Sequence, residues 1–234
     1  MLVTLVFLFL SSSSAYAEKM TASVIDVAPL GFMDGTEKKG LYVEVLQAIA
    51  KAGQFEIEIH LVPYLRAISM VESKDVDLTI MFDTPISDKI KTQKVPLYER
   101  TLYIYTLKER LFLSAKDLVG EIGRLNGACF DLENNNNRTQ LVNIGSFEQG
   151  MQLLKRKRLR GVCGTRASIY SACNKLKISM DQFTNVVLAK KIFAAHFHPE
   201  AKIEKIEKFR KALQIIKNNG VLQKIRIKYH DTIQ

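Results

Sequence analysis

The sequence predicts an α/β fold of two lobes, each a mostly parallel sheet flanked by helices, with a ligand cleft between them. Three observations carry this reading. Strand-like and helix-like segments alternate from residue 22, a second series of the same kind starts at residue 117, and strand-like segments near residues 104 and 192 link the two.

In order along the chain, Ala22 to Val27 alternates apolar and polar residues as a strand does, and 28-APLGFMDGTEKKG-40 is a loop of turn formers. Apolar residues at helical spacing follow from Val43 to Ala50, with Gly53 as the stop. The run 55-FEIEIHLV-62 has period two and predicts a strand, and a helix is expected from about Leu65 to Ser73. The nearly all-apolar 77-DLTIMF-82 is the pattern of a strand covered on both faces of a parallel sheet. In such sheets ligands sit beyond the carboxyl ends of the strands, so Phe82 to Lys89 occupies ligand territory.

A strand at 101-TLYIYTL-107 leads to the second series. There 117-DLVGEIGRLNG-127 is a strand ending in Asn-Gly, Ser146 caps a helix reaching Lys155, and 160-RGVCGT-165 is a strand before a helix from Arg166. A returning strand, 190-KKIFAAHF-197, precedes a long helix with Ile203, Ile206, Phe209, Leu213 and Ile216 on one face, ended by Asn218-Asn219-Gly220. The Asn134 to Asn137 tract reads as a surface loop.

The first residues carry an apolar run from Leu2 to Leu10 and then Ala15-Tyr16-Ala17, which predicts an exported protein cleaved after Ala17. The run is about half the ~20 residues that a membrane span requires. The chain is 47% apolar, and removing the leader leaves about 217 residues, enough for two lobes with proper cores. The expected division is 18–105 plus 192–234 for the first lobe and 106–191 for the second, in a chain acting as a monomer. Lys and Arg exceed Asp and Glu by 34 to 24, a formal charge of +10. These cations are dispersed, with 155-KRKR-158 the one tight cluster, so a nucleic-acid partner is excluded and that cluster reads as a solvated helix end.

The segments 28-APLGFMDGTEKKGLYVEVLQAIAKAG-53, 75-DVD-77, 116-KDLVGEIGRLNGAC-129 and 207-EKFRKALQIIKNNGVLQKIRIKY-229, in this order and spacing, resemble the periplasmic solute-binding proteins of the polar amino-acid class. That is family 3 of the extracellular solute-binding proteins, and this chain resembles a divergent member. The resemblance implies the type II periplasmic-binding fold, capture of a small polar solute by hinge closure, and delivery to a membrane permease of an ABC-type importer. It implies that the Tyr64 ring stacks on the ligand. It also puts Thr84 at the Ser/Thr place, and Lys89 at the place of an Arg that clamps an α-carboxylate, twelve residues after Asp77. Lysine offers a point charge there instead of a planar two-pronged donor. Thr165, five after Arg160, stands where the family places an Asp for the α-amino group. These departures point to an anionic or neutral polar solute, since a buried ammonium without a carboxylate is costly. Arg66, Lys89 and Arg166 are the cations expected to face the cleft. Phe82, amides near Gly127 and Cys129, and Thr165 at the helix start are expected to complete the site.

In this fold Cys129 and Cys163 fall at the ends of neighbouring strands and form one candidate disulfide; Cys163 with Cys173, or three free thiols, are the alternatives. His196 and His198 share a strand face, and a structural role is the expectation for both. Asp83, Glu99 and Asp131 are the acids an enzyme would have to use. No nucleophile elbow, P-loop or metal motif accompanies them, so no enzyme and no cofactor are expected. The alternatives to a transport protein are a sensor or interaction protein with a degenerate site, or a dehydratase or hydrolase on the same fold.

Overall fold

The computed structural model describes residues 18–83, 85–110, 114, 117–132 and 138–231, so the expected leader and Thr84 lie outside the described residues. The chain opens with β1 (Lys19–Ile25), a hairpin of β2 (Phe32–Asp34) and β3 (Glu37–Lys39), α1 (Leu41–Gly53), β4 (Glu56–Val62), α2 (Tyr64–Glu72) and β5 (Leu78–Phe82). A short α3 (Pro85–Lys89) leads into the 15-residue β6 (Gln93–Leu107). There follow β7 (Gly120–Leu125), β8 (Thr139–Ile144), α4 (Phe147–Lys155), β9 (Gly161–Gly164), α5 (Arg166–Lys175) and the 15-residue β10 (Phe183–Phe197). The chain closes with α6 (Ile203–Asn218) and α7 (Val221–Lys228). No helix among the described residues is long and apolar enough to cross a membrane.

The two sheets are joined into one of eight strands, in the order β4-β1-β5-β10-β6-β9-β7-β8. β1 pairs in parallel with β4 and β5 at one end, and β7 pairs in parallel with β8 and β9 at the other. Between them β10 and β6 run antiparallel, from Phe183 opposite Leu107 to Phe197 opposite Gln93. At about 3.3 Å per residue each spans roughly 50 Å, enough to cross the whole molecule. Only their most apolar stretches, 101–107 and 190–197, announce themselves in the sequence. The remainder is strand because the two segments pair with each other.

Each end of the sheet has its own core. One joins Met20, Leu46, Leu78, Phe193 and Phe209, and another joins Tyr105, Phe147, Met151, Leu154 and Ile169. The spacing expected for α1 holds and the helix ends at Gly53, with Gln54, at φ 53°, as the left-handed cap. Gly53 is needed for closeness, since a Cβ there would come within 2.6 Å of the Phe55 ring. The 155–158 cations lie exposed at the end of α4, as expected for a solvated helix end.

Buried polar groups tie the strands together. The Asp77 carboxylate accepts the Thr21 backbone N–H at 2.8 Å and pairs with Lys205 of α6 at 2.7 Å, locking β1, β5 and α6. His196 is fully buried on β10, with Nδ1 3.0 Å from Thr92 Oγ1 and Nε2 3.5 Å from Asp83 Oδ1. Of the three cysteines, Cys129 and Cys163 form a disulfide across 34 residues, and Cys173 is a buried thiol whose pKa burial pushes up to about 11.

Two outcomes follow for stability. A disulfide closing a loop of 34 residues should contribute about 3–4 kcal/mol by restricting the unfolded chain. Urea unfolding with and without a dithiol reductant should show a loss of that order, absent from the Cys129→Ala/Cys163→Ala variant. Burial lowers the His196 pKa from its ordinary 6.5 to about 4, with Asp83 opposing in part and Lys94 adding to the fall. The unfolded chain therefore takes up this proton first, and stability is lost as pH falls from about 6.5 towards 4, by on the order of 3 kcal/mol. Stability measured across that range should fall less steeply in His196→Phe.

Candidate functional site

A cavity of about 70 Å³ lies where the two ends of the sheet meet β10. Tyr42 of α1, Tyr64 at the first residue of α2 and Phe82 at the last residue of β5 wall it from one side. Phe130, Phe147 and Thr165 wall it from the other. The Cys129–Cys163 disulfide forms part of the surface, and Asp131 and Lys191 place the charges. Lys191 Nζ lies 2.8 Å from Asp131 Oδ1, both partly exposed.

Each wall residue is placed by local structure. The strands β5 and β9 end at the cavity, so Phe82 and Thr165 reach it as the carboxyl-end rule predicts. Thr165 is also the N-cap of α5, its hydroxyl accepting the Ser168 N–H at 3.3 Å. Gly127, at φ 78°, does not line the cavity but backs it. A Cβ there would lie 2.5 Å from Leu65 Cδ2 and 3.4 Å from Tyr64 Cδ1, so its absence lets the second lobe approach the Tyr64 ring. Burial raises the Tyr64 hydroxyl pKa, with Tyr42 adding to the rise, so the ring stays neutral.

Of the expected contact residues, Tyr64, Phe82, Cys129 and Thr165 line this cavity together. Arg66 and Lys89 do not. Ala67, Ile68 and Val71 form the buried face of α2, so Arg66 projects outward at 57% exposure, 3.5 Å from Asp75. Lys89 ends α3 exposed to solvent. The turn before it is held instead by Lys94, which pairs with Asp83 at 3.1 Å and Asp88 at 2.6 Å. Arg166 faces a separate cavity of about 20 Å³ behind Thr165, shared with Glu99, Arg100, Arg226 and Asp231.

Sequence reasoning missed Tyr42, Lys191 and Arg100, and it weighed Asp131 only as an acid. Arg100 is buried on β6. Its guanidinium donates to Tyr42 Oη at 2.6 Å and Thr165 Oγ1 at 3.2 Å and is ion-paired with Asp231. The rings of Phe193, Phe82 and Tyr42 lie 5.0, 5.4 and 5.6 Å from it. Burial alone would lower the Arg100 pKa, yet Tyr42, Asp231 and Tyr98 more than offset this and hold it raised. The Tyr42 hydroxyl is pushed up to about 12 by burial, against the opposing pull of Arg100.

A cavity walled from both ends of a bridged two-part sheet is the architecture of a clamshell receptor, and the sequence model of the bacterial extracellular solute-binding proteins, family 3, matches residues 20–232. The chain belongs to that family. A family 3 relative, the arginine-binding extracellular protein ArtP of Bacillus subtilis (strain 168), is 24% identical over 245 residues, covering 93% of this chain and 88% of that one. The arginine-, lysine-, histidine-binding protein ArtJ of Geobacillus stearothermophilus superposes with a TM-score of 0.74 at 17% identity, covering 93% of this chain and 96% of that chain. The GluR0 ligand-binding core of Nostoc punctiforme, in complex with L-glutamate, superposes with a TM-score of 0.74 at 15% identity, covering 91% and 100%. These likenesses establish the two-lobed type II fold for this family 3 chain.

Removing the Asp231 carboxylate would leave the Arg100 charge buried, at side-chain exposures of 2% and 4% for the pair. Asp231→Ala should cost about 3–5 kcal/mol in urea unfolding, and Asp231→Ala/Arg100→Met should recover part of that loss.

Proposed function

We propose that this chain is an exported solute-binding protein, cleaved after Ala17, that captures a small polar solute by closing its lobes and presents it to a membrane permease of an ABC-type importer. The lobes are 18–105 plus 192–234 and 106–191. The observation that carries the reading is the cavity walled by Tyr42, Tyr64 and Phe82 from one lobe and by Phe130, Phe147 and Thr165 from the other. Only a ligand that touches both lobes shifts an open-closed equilibrium, and this cavity offers contacts on both sides.

The relatives named for arginine, lysine and histidine support an amino acid as the solute class, with Tyr64 and Phe82 as the ring surfaces and Thr165 and the Ala128–Cys129 backbone as polar contacts. The charges come from Lys191 and Asp131, not from Lys89, Arg66 or Arg166. A transport role is also supported by the state of two of the three acids considered for catalysis. Asp83 pairs with Lys94, Asp131 pairs with Lys191, and both cleft cysteines are joined to each other.

A thermal-shift screen of residues 18–234 against amino acids, dicarboxylates, small anions, polyamines and sugars tests this. Ligand at about 100 times Kd should stabilise by about 2.7 kcal/mol, or roughly 5–10 °C for a chain of this size. The shift should shrink in Tyr64→Ala, and small-angle scattering should show a smaller radius of gyration with the ligand present. A panel without any shift sinks the proposal.

A further inference from the structure

The two positions at which the family's zwitterion contacts were expected supply no charge to the cavity. Thr165 is neutral, and its hydroxyl is engaged by the Ser168 N–H and by Arg100. Lys89 is exposed at the end of α3 and does not line the cavity. The cavity nevertheless holds a carboxylate and an ammonium, Asp131 and Lys191, 2.8 Å apart.

One atom of that pair is unfinished. Asp131 Oδ1 faces Lys191, but Asp131 Oδ2 is buried and accepts no hydrogen bond from the described residues. A buried carboxylate oxygen without a donor is unfavourable, and an incoming N–H relieves it. The rings of Tyr42, Tyr64, Phe82, Phe130 and Phe147 line the same cavity, and a wall of low polarity strengthens charge interactions inside it.

We propose that Asp131 and Lys191 are the charge-recognition pair of the cleft, the first taking the cationic N–H donor and the second the carboxylate of a zwitterionic solute whose remaining body is apolar. This rests on the reading as a solute-binding protein. The alternation of sign selects the class. A cation alone would set two positive charges against one carboxylate, and an anion alone would set two negative charges against one ammonium. A ligand carrying both charges gives each group of the pair a second partner of opposite sign. Both groups are anchored on the second lobe, and Tyr42, Tyr64 and Phe82 of the first lobe supply the contact that closure requires. Asp131 sits in the turn Phe130–Leu132, which the Cys129–Cys163 disulfide fixes to β9, while Lys191 belongs to the crossing strand β10.

Isothermal titration of residues 18–234 with the common L-amino acids identifies the tightest binder. Its deaminated acid and its decarboxylated amine then serve as single-charge analogues, titrated into the wild type, Asp131→Asn and Lys191→Met. The wild type should prefer the amino acid to either analogue by at least about tenfold. Asp131→Asn should weaken the amino acid by about tenfold or more and leave the deaminated acid within about twofold. Lys191→Met should weaken the amino acid similarly and spare the amine. Equal weakening of all three ligands, or no weakening in either variant, overturns the pair and leaves solute binding standing. So does a wild type that takes a sugar, dicarboxylate or polyamine but no amino acid. A wild type that binds nothing overturns both readings.

Discussion

Between β6 and β10, backbone pairing continues from Phe183 opposite Leu107 to Phe197 opposite Gln93, and each lobe hangs its parallel strands from one end of that ladder. β5 joins β10 at Leu78 to Phe82, and β9 joins β6 at Tyr103 to Tyr105. Two separate cores can therefore face each other across a fixed spine. The ladder is irregular in two places, between Val187 and Ala189 and between Phe193 and Ala194. Bulges bend the strand that carries them and increase its twist. The second lies beside the Tyr42, Phe82 and Tyr98 rings that pack on Phe193, so the spine bends where the first lobe meets the cleft.

Arg100 shows how the spine is coupled to both lobes and to the chain's end. It lies on β6, yet its bonds reach Tyr42 in the first lobe, Thr165 in the second and Asp231 beyond the last helix. A buried guanidinium is held only when its desolvation is offset by a matching charge and by hydrogen bonds. Here Asp231 supplies the charge and the two hydroxyls supply acceptors. The C-terminal segment is thus part of the cleft's support, although none of its described residues lines the cavity.

The elements that were legible in the sequence are those whose pattern is set by a single local cause. The nearly all-apolar 77–82 run and the helical spacing in α1 and α6 each reflect one buried environment. β8 was not legible, because its edge position leaves Thr139 to Ile144 mostly half-buried or exposed and mixes the pattern. α7 was hidden behind Asn218-Asn219-Gly220, where a left-handed Gly220 ends one helix and starts the next. The same distinction holds in the site. Phe82 could be placed because strand ends point to the cleft, and Tyr64 because the family resemblance puts a stacking ring there. Counting from Asp77 led to Lys89, but position along the chain does not fix where a loop side chain points. The Arg100–Asp231 and Asp131–Lys191 pairs join segments remote in sequence, and no local pattern announces them.

Arg100 also bears on residue 165, where the family resemblance would put an acid. With a guanidinium nitrogen 3.2 Å from the Thr165 hydroxyl, an acid at that position would be captured by Arg100 and unavailable to a ligand. A hydroxyl accepts one bond from Arg100 and still caps α5, while Asp231 neutralises the cation from behind. The negative charge that faces the cavity must then come from elsewhere in the second lobe. Asp131 meets that requirement: it follows Cys129 by two residues, its turn is pinned by the disulfide, and Lys191 holds only one of its oxygens.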